Sequence, residues 1–111
     1  MVPQIHYVFG KNINTAGILP NVYHNTIADV LSLEVSGEFT GVIKVEGRVN
    51  KENTDYTVIA GINMSEFIIA KTITEIGIYE YGIEGIQDIR VNIESISGNV
   101  TILGRFVNTA A

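Results

Sequence analysis

Strict alternation of apolar and polar residues is the feature that most constrains this chain. Leu31, Leu33 and Val35 alternate with Ser32, Glu34 and Ser36. Ile43, Val45, Gly47 and Val49 alternate with Lys44, Glu46 and Arg48. Tyr79, Tyr81 and Ile83 alternate with Glu80, Gly82 and Glu84, and Ile89, Val91 and Ile93 with Arg90, Asn92 and Glu94. A period of two puts each apolar set on one face of a strand and each polar set on the other, which no helix can do. The aliphatic residues agree. The 111 residues include 18 Ile and 12 Val against 4 Leu and 6 Ala. β-branched side chains suit a pleated sheet, whereas Ala and Leu suit helices.

Between these stretches the sequence supplies turns. Asn50–Asp55 is a polar turn, Gly61–Ser65 a loop, Gly85-Ile86 a break, and Ser97-Gly98-Asn99 is expected to be a tight hairpin turn. Tyr56–Ala60, with Tyr56 and Val58 facing in, Glu66–Thr74 and Val100–Val107 complete the strands. A helix over Glu66–Ile76 is the alternative for that segment, since FIIAKTI also presents an apolar face at a period of 3.6. The sum is an all-β domain, an antiparallel β-sandwich of jelly-roll type with seven or eight strands over residues 26–107. Residues 1–25 differ. They hold both prolines and both histidines, and only Gln4–Phe9 is strand-like, so they read as an N-terminal arm. Residues 108–111 read as a frayed tail.

Charge and missing residue types narrow the chemistry. Seven Lys and Arg against twelve Asp and Glu leave a formal charge of −5, the opposite of a nucleic-acid footprint. There is no Cys, hence no disulfide, thiolate metal site or Cys nucleophile. No run approaches the ~20 apolar residues of a membrane helix. The beginning MVPQIHYVFGK lacks the charged and long apolar regions of a secretory signal, so synthesis in the cytoplasm is expected. No Gly-x-Ser-x-Gly elbow and no phosphate-binding glycine loop occur. Most carboxylates alternate with apolar residues and so are expected on solvated strand faces rather than in a paired acid–base cleft. His6 and His24 lack the spacing of a helical metal pair. Asn50, Glu52, Asn53 and Asp55 are the best oxygen cluster for calcium, but Lys51 sits among them and a plain turn is expected. No catalytic residue, metal or cofactor is therefore assigned.

If Ile43, Tyr79 and Val91 point inward, then Val42, Ile76, Ile78, Leu103 and Val107 point outward, with one parity of Phe67–Ala70. That is more outward apolar surface than a small monomer normally carries. The arm adds Ile5, Tyr7, Phe9 and Tyr23, which something must bury, either the arm's own sandwich or a neighbour. The interface candidates are accordingly Ile5, Tyr7, Phe9, Tyr23, Ile76, Ile78, Leu103 and Val107, and a homo-oligomer is expected.

The phrases Phe39-Thr40-Gly41-Val42-Ile43-Lys44-Val45-Glu46-Gly47-Arg48, Gly77–Val91 and Ser97–Arg105 resemble a small β-sandwich of tailed-phage and prophage virion proteins. Such domains occur among head fibres, decoration proteins and tail or baseplate accessories. The resemblance spans about residues 27–106 and leaves the arm uncovered. It departs at Gly82, where the pattern often has Asp, and at Asn50–Tyr56, where Tyr56 stands in for Trp. It implies a non-enzymatic virion component, threefold in assembly, adhesive or decorating, whose partners are itself, other virion proteins and a host-surface glycan. The same glycine-tyrosine phrase is similar to galactose-binding-like modules, which makes a carbohydrate-binding domain the alternative. On its own physics, Arg90 lies on the outward parity and is expected to pair with a carboxylate on an adjacent strand, such as Glu46 or a neighbour of Glu94, without a catalytic role.

Overall fold

The structure, a computed structural model, describes residues 4–109. Nine strands and no helix are found among them: β1 (Gln4–Ile13), β2 (Gly17–Ile18), β3 (Tyr23–His24), β4 (Val30–Arg48), β5 (Thr57–Val58), β6 (Gly61–Asn63), β7 (Ile68–Ala70), β8 (Gly77–Gly82) and β9 (Asp88–Val107). All pairings between them are antiparallel, and the main sheet runs β1-β9-β4-β8-β6-β7. The all-β, sandwich-like architecture expected from the alternation is what forms. The helical alternative for Glu66–Ile76 is not.

Two strands are far longer than expected. A straight strand of 19 residues would measure about 60 Å, yet the molecule's longest dimension is 39 Å. β4 and β9 therefore bend together and fold the sheet over. In the first blade β4 residues 30–35 lie between β8 and β9 residues 102–107. In the second, β4 residues 43–48 pair with β9 residues 88–93, while β5 and the Ile73 bridge flank β4 and β2 and β3 flank β9. The bend contains Gly37 (φ 113°) and Gly98 (φ 98°), a backbone region that side chains disfavour. A Cβ on either would also meet a carbonyl oxygen of the other strand, Asn99 O at 2.4 Å or Glu38 O at 2.2 Å.

The expected hairpin at Ser97-Gly98-Asn99 is thus corrected: these residues sit inside β9, opposite Phe39 and its neighbours. The inward set of β9 does change parity, from Ile89, Val91 and Ile93 to Val100, Ile102 and Phe106. The cause is a bulge. Val42 pairs with Ser95 and the next residue, Ile43, with Ile93, leaving Glu94 as an extra residue that flips every later side chain.

Between the blades lies one core. Leu31, Leu33, Val35, Ile43, Val45, Tyr79, Tyr81, Ile83, Ile89, Val91 and Ile93 are all buried in it, as their alternation requires. Val49 and Val58, assigned inward, are exposed, because the sheet ends at Arg48 and β5 is a two-residue flap. Residues 4–25 are not a detached arm. β1 is a full edge strand, and Phe9, Leu19 and Tyr23 belong to the core. The Tyr23 ring lies 3.6 Å from that of Phe106 at an interplanar angle of 9°, joining the second blade to the first. Thr109 is tied to Asp29 through its backbone N–H and its hydroxyl, so the expected fraying does not reach it. Ala110 and Ala111, and the first three residues of the arm, lie outside the described residues.

Candidate interaction surface

The outer face of the first blade carries the apolar residues that the core does not use. Ile78 and Val8 are exposed, and Leu103, which pairs with both Val8 and Glu34, is half-buried between them. Val107, opposite Gln4 and Val30, is also half-buried. At the β7 edge the surface becomes strongly apolar. Phe67 and Ile69 are each 76% exposed, and Ile62, Ile68 and Ile76 are exposed as well.

A specific device holds Phe67 out. Asn63 is 6% exposed, and its Oδ1 accepts from the Ser65 N–H (3.1 Å) and hydroxyl (2.8 Å). Its carbonyl accepts from the N–H of Phe67 (2.7 Å). Phe67 sits at φ 56°, a conformation uncommon for a bulky side chain. The turn is therefore built to project an aromatic ring, and β7 behind it is too short to bury Ile68 or Ile69.

Of the eight interface candidates, Ile76 and Ile78 are exposed and Ile5 is 47% exposed on β1, while Leu103 and Val107 are half-buried. Phe9 and Tyr23 are corrected. They are core residues of their own chain, because β1 and β3 dock on β9 and leave them no neighbour to seek. Tyr7 is partly buried between the Phe9 and Tyr23 rings, and its hydroxyl donates to the Val22 carbonyl (3.0 Å). Burial raises the Tyr7 and Tyr23 hydroxyls above their ordinary range. Ile62, placed in a loop by the sequence, and Val8 are surface residues that the alternation did not single out.

The outer face of the second blade is polar and internally paired. Arg90 Nε donates to Glu46 Oε1 (2.8 Å), as expected from their opposed positions, and Asn92 donates to Glu46 Oε2. Tyr56 covers both guanidinium groups, 3.7 Å from Arg90 and 4.8 Å from Arg48. Asp88, 1% exposed, accepts from Arg48 Nε and contacts His24 Nδ1, each at 2.7 Å. Burial pushes the Asp88 carboxyl up, but the hydrogen bonds from His24 and Arg48 outweigh it and hold the group below the usual carboxylate range.

That balance gives a test of stability. A depressed carboxyl contributes stability above its unfolded pKa of about 4 and loses it as pH falls through the folded value. Asp88→Asn is expected to cost on the order of 2 kcal/mol at pH 7, the size of a charge-assisted hydrogen bond. Urea unfolding at pH 7 and pH 3 should show the gap between wild type and variant narrowing in acid. A gap that stays constant would mean that the Asp88 charge plays no part.

The remaining chemical candidates stay apart. In the Asn50–Asp55 turn, Asn50 Oδ1 accepts from Glu52 N–H and Asn53 Oδ1 from Asp55 N–H, while Arg48 Nη1 donates to the Asn53 carbonyl. These oxygens serve the turn itself, with a guanidinium already beside it. His6 pairs with Arg105 across β1 and β9, and His24 lies against Asp88 at the far end of β9. No three metal-ligating groups converge among the described residues. A cleft of about 570 Å³ opens beside β5, lined by Val49, Val58, Ile59, Ala60 and Ile86 with Arg48 at its side. Tyr79 and Tyr81, on which a sugar could have stacked, are core residues, and the outward Tyr56 ring is already stacked with the two guanidinium groups.

No protein-family model matches the chain, and no curated protein matches it in sequence. Its fold is similar to two solved structures. The crystal structure of SPBc2 prophage-derived protein YomS superposes with a TM-score of 0.88 at 16% identity, over 96% of this chain and 95% of that one. The crystal structure of PBSX exported protein XepA gives a TM-score of 0.88 at 21% identity, over 96% of this chain. The chain spans 38% of XepA, so it matches one part of that longer protein. The domain therefore shares its fold, at nearly full length, with proteins of two prophages.

Proposed function

We propose that the chain is a non-enzymatic phage protein that assembles with itself and presents its sandwich as a decorating or adhesive module of the virion. The observation that carries this is the open β7 edge with Phe67 and Ile69 three-quarters exposed and Ile62, Ile68, Ile76 and Ile78 around them. Surface of this kind marks an interaction site rather than a solvated face. The shared fold with YomS and XepA supports a phage origin, and the export of XepA suits a product that leaves the cell. The virion is the location we assign. Its partners there are further copies, other virion proteins and a host-surface glycan.

Closed point-group symmetry limits the copy number, and a threefold ring matches fibre and decoration proteins. Light scattering of the intact chain at micromolar concentration should report a multiple of 12.1 kDa, three copies for the threefold ring. Another closed number would keep the assembly and remove the threefold symmetry. A 12.1 kDa monomer would overturn the proposal.

A further inference from the structure

We propose that the β7 edge of one copy pairs with the β1 edge of the next, so that the first blade continues from copy to copy as one sheet in a closed head-to-tail ring. This rests on the self-assembly reading and names its interface. β1 and β7 are the two ends of the main sheet, each bonded to a single neighbour. An unpaired edge displays amides and carbonyls that a further strand can complete. On β1 the Asn21 side chain already donates to the Val8 carbonyl (3.0 Å), and bulges interrupt the strand from Val8 onward. The stretch Gln4–Tyr7 before them is regular, with Ile5 and His6 exposed.

Charge distinguishes head-to-tail pairing from a symmetric β7–β7 contact. Residues 1–28 contain no carboxylate. The β1 edge carries His6 and Lys11, and exposed Arg105 stands opposite His6. Residues 61–80, around β6 and β7, carry Glu66, Glu75 and Glu80 against the single cation Lys71. A chain that is acidic overall thus has one basic edge and one acidic edge on the same blade. Joining unlike edges brings opposite charges together, whereas joining β7 to β7 brings the acidic ends together. Unlike edges also make a heterologous contact, which closes into rings of three or more, while an isologous contact stops at two. The Asn63-locked turn then places Phe67 beside the incoming Ile5 and Val8 edge, where its exposed ring is covered.

The absence of native cysteine makes the test direct. Ile69→Cys and His6→Cys are made as separate chains, then co-expressed and oxidised with copper phenanthroline. A disulfide-linked pair is expected in the mixture and not in either variant alone. Ile69→Lys is expected to reduce the mass to that of one copy with an unchanged β-type circular dichroism spectrum, because residue 69 is exposed in the single chain. Cross-linking of Ile69→Cys with itself would replace this interface by a symmetric β7 contact. An Ile69→Lys variant that keeps the full mass, without cross-links in the mixture, would overturn the interface and leave self-assembly standing. A monomeric wild type would overturn both.

Discussion

Val91→Asp is expected to leave the chain unfolded at 25 °C. Val91 is 0% exposed and pairs with Val45 in the second blade, where β4 and β9 form the spine of the core. Burying a carboxylate there without a partner costs several kcal/mol even after its pKa shifts to neutralise it. A domain of this size has a total stability of about 5–15 kcal/mol, and the lost packing of the valine adds a further cost. The contrast with Asp88 is informative. Three residues earlier on the same strand, a carboxylate is equally buried, yet it is held by Arg48 and His24. The side-chain phase therefore decides the outcome: Asp88 meets the Arg48 guanidinium and the His24 ring, and residue 91 lies in the apolar core opposite Val45. Circular dichroism and a melting curve check the prediction. An unchanged melting temperature would mean that residue 91 faces outward and that the register of β9 is wrong.

The same phase explains what could be read from the residues before any fold was known. Alternation alone identifies eleven inward residues, ten on β4, β8 and the first half of β9 and Ile83 just after β8, because a half-buried strand has no other way to satisfy both faces. It also places Arg90 outward with Glu46 among its possible partners; the choice of Glu46 comes from the pairing of β4 with β9. Alternation is silent where one residue is inserted. The extra Glu94 flips the parity of β9, and in a sequence that flip looks like the end of one strand and the start of another. Ser97-Gly98-Asn99 then supplied a plausible turn. Gly98 does adopt a positive φ, but its task is a bend within two paired strands. The N-terminal residues were harder still. Phe9, Leu19 and Tyr23 come from three short pieces separated by irregular chain, and only the docking of each on β9 shows that they share the core. At the candidate surface, Asn63-Met64-Ser65 has a readable signal. An Asn two residues before a Ser is the pattern of a side chain that caps its own turn, and that cap is what projects Phe67.

Gly98→Ala should be strongly damaging although residue 98 is exposed, and comparison with Gly85→Ala separates its two causes. Both glycines have positive φ, 98° and 81°, so each alanine incurs the conformational penalty of about 1–2 kcal/mol for a side chain in that region. They differ in surroundings. A Cβ at residue 85 meets nothing within 4 Å, whereas at residue 98 it lies 2.2 Å from the carbonyl oxygen of Glu38 and 3.0 Å from the Phe39 Cα. Backbone atoms of a paired strand cannot rotate away as a side-chain tip would, so β4 and β9 must separate at the bend. That separation breaks ladder bonds on both strands and tilts one blade against the other, loosening a core packed at near-crystalline density. We expect Gly85→Ala to lower stability by about 1 kcal/mol and Gly98→Ala by roughly 3 kcal/mol or more. Urea titration of both variants measures the difference. Equal losses would mean that the two strands do not approach closely at Gly98, and the sheet would then have to fold over at some other point along β4 and β9.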